Sequence, residues 1–169
     1  MTPEPAEDRE AELQAFWEVA RVRANLNRLA VYTGPTPLDI LRPPDWSFGS
    51  GPEMADQLIE LVLDGTKTAT ASALSDYEAA GEEVPRAGDL SIVTDGAGHP
   101  GALIVTTEVQ VVPFGEVSAE HAEAEGEGDG SLDFWRRVHE RYFTETSPDL
   151  TEPMEELPVV CERFRVLYP

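Results

Sequence analysis

The sequence holds a single cysteine, Cys161. That excludes an intramolecular disulfide and any zinc site built on cysteines. With no histidine paired to it in the sequence, the thiol is expected to be buried and inert. Cations are scarce as well: 12 Lys and Arg stand against 33 Asp and Glu, a net charge of −21. A broad grip on nucleic acid depends on many Lys and Arg contacts to phosphate, so the balance argues against one. A few cations focused in a cleft can still hold a nucleotide or a short single strand. The acidity equally fits a solubility or high-salt habit. Long apolar runs are missing too, and none approaches the ~20 residues of a transmembrane helix. The first twelve residues are acidic and polar, the opposite of a secretory signal. The expectation is a cytoplasmic protein with no membrane partner.

What is present suits a soluble globular chain, long enough for one domain that buries roughly 70% of its unfolded surface. Residues 6–29 read as a helix with an approximate apolar stripe of Leu13, Phe16, Trp17, Ala20, Ala24 and Leu26. It either packs on the main domain or makes a homodimer contact. Pro35, Pro37, Pro43 and Pro44 exclude regular structure from most of residues 31–45, leaving a stiff strap. Residues 1–45 are thus expected to pack on a main domain spanning 46–169. Trp46 and Phe48 enter the core or line a cleft. Ser50-Gly51-Pro52-Glu53 starts a helix, and Gly65 stops it.

Beyond that stop comes the most informative stretch, Gly65-Thr66-Lys67-Thr68-Ala69-Thr70-Ala71-Ser72. Hydroxyls alternate with alanines, the period of a strand. Lys67 and Thr70, three apart, share a site only if Lys67 sits in the turn and Thr70 in the strand. A threonine near a lysine suggests a nucleophile and the amine that activates it. The alternative is a helix stop, a surface lysine and a β-prone strand. A short helical patch follows around Tyr77, a residue that either stacks on a base or packs. Strands are expected at Lys67–Ala73, Leu90–Thr94, Ala102–Val112 and Val159–Leu167. Ser118 caps a helix carrying Glu120, His121, Glu123 and Glu125, broken at Gly126-Glu127-Gly128-Asp129-Gly130. Such carboxylates are normally a solvated face; one turned inward would supply an acid/base partner. Ser131 caps a further helix with Leu132, Trp135, Val138 and Tyr142 on one side, flanked by Arg136 and His139.

Taken in order, these motifs resemble the ASCH domain family, a branch of the PUA-like superfamily. The matching features are Trp46-x-Phe48-Gly49, the G-x-K-x-x-T of Gly65, Lys67 and Thr70, and Gly88-Asp89-Leu90. Then come Pro113-Phe114, His121-Ala122-x-x-Glu125-Gly126-Glu127-Gly128-Asp129, Ser131-Leu132, Trp135-Arg136, His139 and Cys161-Glu162-Arg163-Phe164. The resemblance implies an α+β fold: a small mixed β-barrel with helices at its rim, here with an added N-terminal helix. It implies a cleft over the G-x-K-x-x-T turn, and nucleoside, nucleotide or single-stranded RNA as partner. Some members look like metal-dependent ribonucleases. A shorter relative is an amidohydrolase that deacetylates 4-N-acetylcytidine with a Lys, a Thr and a Glu, which fall by motif on Lys67, Thr70 and Glu125. That enzyme has an arginine where this chain has Ser72, and this chain resembles the longer ASCH subgroup.

Three functions follow from the resemblance. In a hydrolase, Thr70 attacks an amide carbonyl, Lys67 takes its proton and Glu125 orients Lys67 or shuttles the proton. A close carboxylate opposes a lysine's work as a base, so either desolvation wins or Glu125 is the base. Trp46, Ser72, Tyr77, Arg136 and His139 line the substrate. In a ribonuclease, Lys67 stabilises the phosphorane, a carboxylate or His121 handles protons, and Glu125, Glu127 and Asp129 are the candidate ligands for Mg or Mn. In a binding module the cleft only holds RNA or a nucleotide, with Lys67 and Arg136 on phosphate.

Overall fold

The structure is a computed structural model that describes residues 6–26, 41–147 and 150–169. Most of the proline-rich strap lies outside the described residues. Five helices and five strands are present among the described residues: α1 (Ala6–Arg23), β1 (Asp45–Trp46), α2 (Pro52–Leu63), β2 (Ala69–Ala73), α3 (Leu74–Ala80), β3 (Leu90–Thr94), β4 (Pro100–Pro113), α4 (Ala119–Glu125), α5 (Leu132–Thr146) and β5 (Pro158–Tyr168). This is the mixed α+β class with its N-terminal helix. None of these helices is long and apolar enough to cross a membrane.

The strand order is β1-β3-β4-β5-β2. The sheet therefore ends at β1 and β2 and does not close into the expected barrel. The reason is visible in β1, which has two residues and pairs in parallel with β3 alone, Asp45 opposite Ile92 and Trp46 opposite Val93. Two residues offer too short a ladder to seal a barrel edge.

The chain divides into two compact units. The first comprises residues up to Leu63, Leu90–Val105 and Val166–Pro169. Its core holds Leu13, Trp17 and Ala20 of α1 against Ile92 and Leu103, so the N-terminal helix is part of a core. Helix α2 buries Ala55, Leu58, Ile59 and Val62, the i, i+3, i+4, i+7 stripe of an amphipathic helix.

The second unit comprises Asp64–Asp89 and Thr106–Arg165. Its core gathers Ala73, Phe114, Val117, Ala122, Trp135, Phe143, Leu157, Val159 and Cys161. Two serine caps set its helices: the Ser118 side chain accepts from the His121 N–H, and the Ser131 side chain from the Phe134 N–H. In α5, Trp135, His139 and Phe143 are buried at four-residue spacing, so the inward face of that helix carries an indole, an imidazole and a phenyl ring in a row.

Candidate functional site

The turn before β2 is docked on the end of α4. The Thr68 N–H donates to the Ala124 carbonyl at 2.8 Å, and the Phe164 N–H donates to the Thr68 carbonyl at 3.0 Å. Helix α4 stops at Gly126 with φ of 67°. A Cβ there would come within 2.3 Å of the Thr66 carbonyl oxygen, so glycine serves both the left-handed cap and the close approach of the two backbones.

That docking buries Lys67, the chain's only lysine. Its exposure is 1%, as is that of Glu125. The Lys67 ammonium donates to Glu127 Oε1 at 2.7 Å and lies 3.6 Å from Glu125 Oε2. Glu125 Oε1 accepts from His121 Nε2 at 2.9 Å and from Trp135 Nε1 at 2.7 Å. His139 Nε2 stands 3.4 Å from Oε2. His139 Nδ1 faces the Trp135 carbonyl at 2.9 Å; a carbonyl only accepts, so Nδ1 carries a proton. A second proton on Nε2 is what lets the ring face a carboxylate, and the resulting imidazolium stacks on the Trp135 indole, centroids 4.2 Å apart and 15° from parallel.

Burial by itself would raise the Glu125 pKa, but the hydrogen bonds from His121 and His139 and the positive charges of His139 and Lys67 outweigh it. They hold the carboxyl well below the usual range. For His139, burial acts to lower the pKa, and the Glu125 hydrogen bond and charge reverse that into a rise. The cluster is an ion network sealed among α4, α5 and the turn before β2, with Glu125 anionic at its centre.

Thr70 is not part of that network. Strand β2 runs antiparallel to β5, with Thr70 opposite Glu162, Ala71 opposite Cys161, Ser72 opposite Val160 and Ala73 opposite Val159. Ala71, Ala73, Val159 and Cys161 pack into the core that contains Trp135. Alternation along the strand sends Thr70, Ser72 and Glu162 to the other face. There Glu162 Oε1 accepts from the Thr106 hydroxyl at 2.6 Å. Burial raises the Tyr77 pKa, against a lowering from the nearby Ser72 hydroxyl. Thr70, Ser72 and Tyr77 are half-buried; Glu162 is 6% exposed. Burial raises the Glu162 pKa and the Asp89 charge adds to this, against the lowering from Thr106. The structure thus brings Lys67 to Glu125 and sets Thr70 in a separate cluster with Ser72, Tyr77, Thr106 and Glu162.

The remaining residues divide similarly. Trp46 belongs to the first unit, where its ring meets Phe48 edge-on at 4.7 Å. Arg136 donates to the Gly115 carbonyl, which ties α5 to the loop after β4. His139 is buried in the ion network. The candidate metal ligands fit poorly: Glu125 and Glu127 already share the Lys67 ammonium, and Asp129 accepts from the Ser131 N–H. Among the described residues no group of three or more His, Cys, Asp or Glu is arranged to hold a metal. Burial, with the Glu125 charge adding, pushes the Cys161 thiol up to about 12, so it is protonated at neutral pH. Sequence reasoning passed over the roles of Trp135, Thr106 and Glu162. The Trp135 contact has a readable signal in the helical spacing from Trp135 to His139; the Thr106–Glu162 bond depends on strand pairing.

The ASCH domain family model matches residues 45–168. An ASCH domain from Lactobacillus crispatus has a solved structure 29% identical to this chain, with a TM-score of 0.71, covering 88% of this chain and 96% of that one. A solved Enterococcus faecalis protein of the DUF984 family is 34% identical, with a TM-score of 0.68 and 88% of each chain covered. A hypothetical protein at 17% identity and a TM-score of 0.51, spanning 73% of this chain and 98% of that one, shares the fold alone. A comparison with curated proteins finds no match.

Proposed function

Because the chain belongs to the ASCH domain family, whose PUA-like fold is associated with RNA binding, we propose that it is a hydrolase acting on a nucleoside or on single-stranded RNA, with the substrate seated on the hydroxyl face of β2. One observation carries this reading: Thr70 and Ser72 are half-buried on one face of β2, beside the buried carboxyl of Glu162 and with the half-buried Tyr77 of α3 near Ser72. A half-buried hydroxyl row binds neutral donors and acceptors, such as the edge of a base, and Tyr77 offers a ring for stacking. That suits an acidic chain with few cations for phosphate. Thr70 is the nucleophile on this face. Lys67 and Glu125, sealed at 1% exposure, act as positioning residues that hold the turn from which β2 starts. The chemistry favoured is removal of an acyl group from a base such as that of 4-N-acetylcytidine.

A second reading, RNA or nucleotide binding without turnover, is favoured by the same sealing of Lys67. A metal-dependent ribonuclease is supported least, since its candidate carboxylates are already paired. Purified protein incubated with 4-N-acetylcytidine and with single-stranded RNA, each with and without EDTA, separates the three. Acetate release that EDTA leaves unchanged is the expected result. EDTA-sensitive RNA cleavage points to the nuclease, and saturable binding with no product points to the binding module. Binding in any of these cases should show a shallow dependence on salt, because few phosphate contacts are made.

A further inference from the structure

We infer that Glu162, and not Glu125, is the carboxylate that exchanges a proton with Thr70; this rests on the hydrolase reading above. The argument begins with register. Thr70 and Glu162 are directly opposite in the β2–β5 ladder, which places their Cβ atoms about 4.5–5.5 Å apart on one face. A carboxylate on a two-methylene arm reaches a hydroxyl across that gap. The Thr106 hydroxyl fixes Oε1 of Glu162 at 2.6 Å and so orients the carboxylate on the face it shares with Thr70.

Charge supports the same assignment. The charged groups around Glu162 and its neighbour Tyr77 are acidic: Asp89, before β3, acts on Glu162, and Asp76 of α3 and Glu82 of the turn after it act on Tyr77. Burial, with the Asp89 charge adding, makes Glu162 a stronger base than an ordinary glutamate despite the Thr106 hydrogen bond, which is the direction a general base needs. Glu125 stands in the opposite situation. His121, Trp135, His139 and Lys67 surround its two oxygens, so it has little affinity left for a proton.

The chemistry balances with water as the only co-reactant. The Thr70 oxygen bonds to the acyl carbon while its proton passes to Glu162. The bond from the acyl carbon to the amine nitrogen breaks, and Glu162 returns the proton to that nitrogen. Water then attacks the Thr70 ester, giving one proton to Glu162, and the carboxylic acid leaves as Thr70 recovers its proton. The sum is amide plus water to acid plus amine.

The test follows acetyl transfer from p-nitrophenyl acetate and from 4-N-acetylcytidine, with intact-mass and peptide mapping of the protein. The wild type is expected to carry an acetyl group on Thr70. Glu162→Gln is expected to slow acylation 10²- to 10⁴-fold and to remove the low-pH limb of the rate profile; Glu162→Asp should restore part of both. Folding of each variant is checked by circular dichroism. If Glu162→Gln acylates at the wild-type rate with the wild-type pH profile, the inference is overturned while the hydrolase stands. If product forms but Thr70→Val is equally active, the inference falls and the nucleophile lies elsewhere. If the wild type neither acylates nor releases product, both fall. Carbon-13 NMR of labelled glutamate gives a readout free of turnover. Glu162 should titrate above the ordinary glutamate range, and an ordinary midpoint overturns the assignment.

Discussion

The two faces of β2 carry polar clusters of opposite character. On the face toward α4 and α5, formal charges are concentrated and sealed: Lys67, Glu125 and His139, with Glu127 at the margin. On the other face, uncharged hydroxyls dominate and remain partly open, beside a single carboxyl. A buried ion network cannot release a partner without leaving a charge uncompensated, so it is suited to holding a structure. A half-open hydroxyl row loses little when a ligand displaces its water, so it is suited to recognition. The densest charge marks the frame, and the sparser face marks the place for chemistry.

The sharpest way to break this comparison is to remove the centre of the sealed cluster. Glu125→Ala strips the acceptor from His121, Trp135, His139 and Lys67 together. Breaking a buried pair typically costs about 3–5 kcal/mol, a large part of the ~5–15 kcal/mol that holds a domain. Urea unfolding should show a loss of stability of that size. A loss below about 1 kcal/mol would mean that the network is not a structural frame.

The next effect falls on the open face. Thr70→Val keeps the β-branched shape and deletes the hydroxyl. Stability should drop by about 1 kcal/mol or less, the net value of one hydrogen bond, while hydrolysis falls by orders of magnitude. The reverse pattern, normal turnover in an unstable protein, would exchange the roles assigned to the two faces.

Much of this was legible in the sequence, and the parts that were not share a cause. The helices starting at Ser118 and Ser131 were readable because a cap is a local feature, decided within three residues. Glu125 was singled out only through the family motif His121-Ala122-x-x-Glu125; by their density alone the carboxylates of that helix read as a solvated face. The separation of Thr70 from Lys67 was hidden. It depends on which residue of β5 lies opposite Thr70, and a register shift of one would reverse the faces. Glu162 lies 92 positions along the chain from Thr70, so no spacing rule joins them. The open sheet was hidden for a similar reason, since the alternation within a strand says nothing of whether the outermost strands meet.

A smaller effect should appear in the pH dependence of stability. The His139 pKa is raised by folding. Its contribution is therefore fully present below the unfolded value of about 6.5 and lost as pH rises through the higher folded value. Glu125, held low, contributes above the ordinary glutamate range and loses that contribution progressively as pH falls below it. Glu162, raised, loses its contribution over a window that begins near 4.5. Urea midpoints measured upward from pH 6.5 should fall in the wild type and stay flatter in His139→Gln. Parallel profiles would mean that the imidazolium–carboxylate pairing is not formed.

The smallest effect uses Lys67 as a reporter. As the only lysine of the sequence, it carries the one side-chain primary amine, and a mapped acylating reagent reads it alone. Its burial means that modification requires an opening, and the opening at issue is the release of α4 from the turn before β2. The Ser118 side chain caps that helix by accepting from the His121 N–H at 3.1 Å. Ser118→Ala should cost about 1 kcal/mol, which raises the open population about fivefold, given that 1.4 kcal/mol is a factor of ten. Ile92→Val, in the core of the first unit, should cost a comparable 0.5–1.5 kcal/mol. If α4 opens locally, Ser118→Ala speeds Lys67 labelling about fivefold and Ile92→Val leaves it near the wild-type rate. Equal acceleration by both would show that the ion network opens only when the whole chain unfolds, and the sealed face would then be as firm as the global fold.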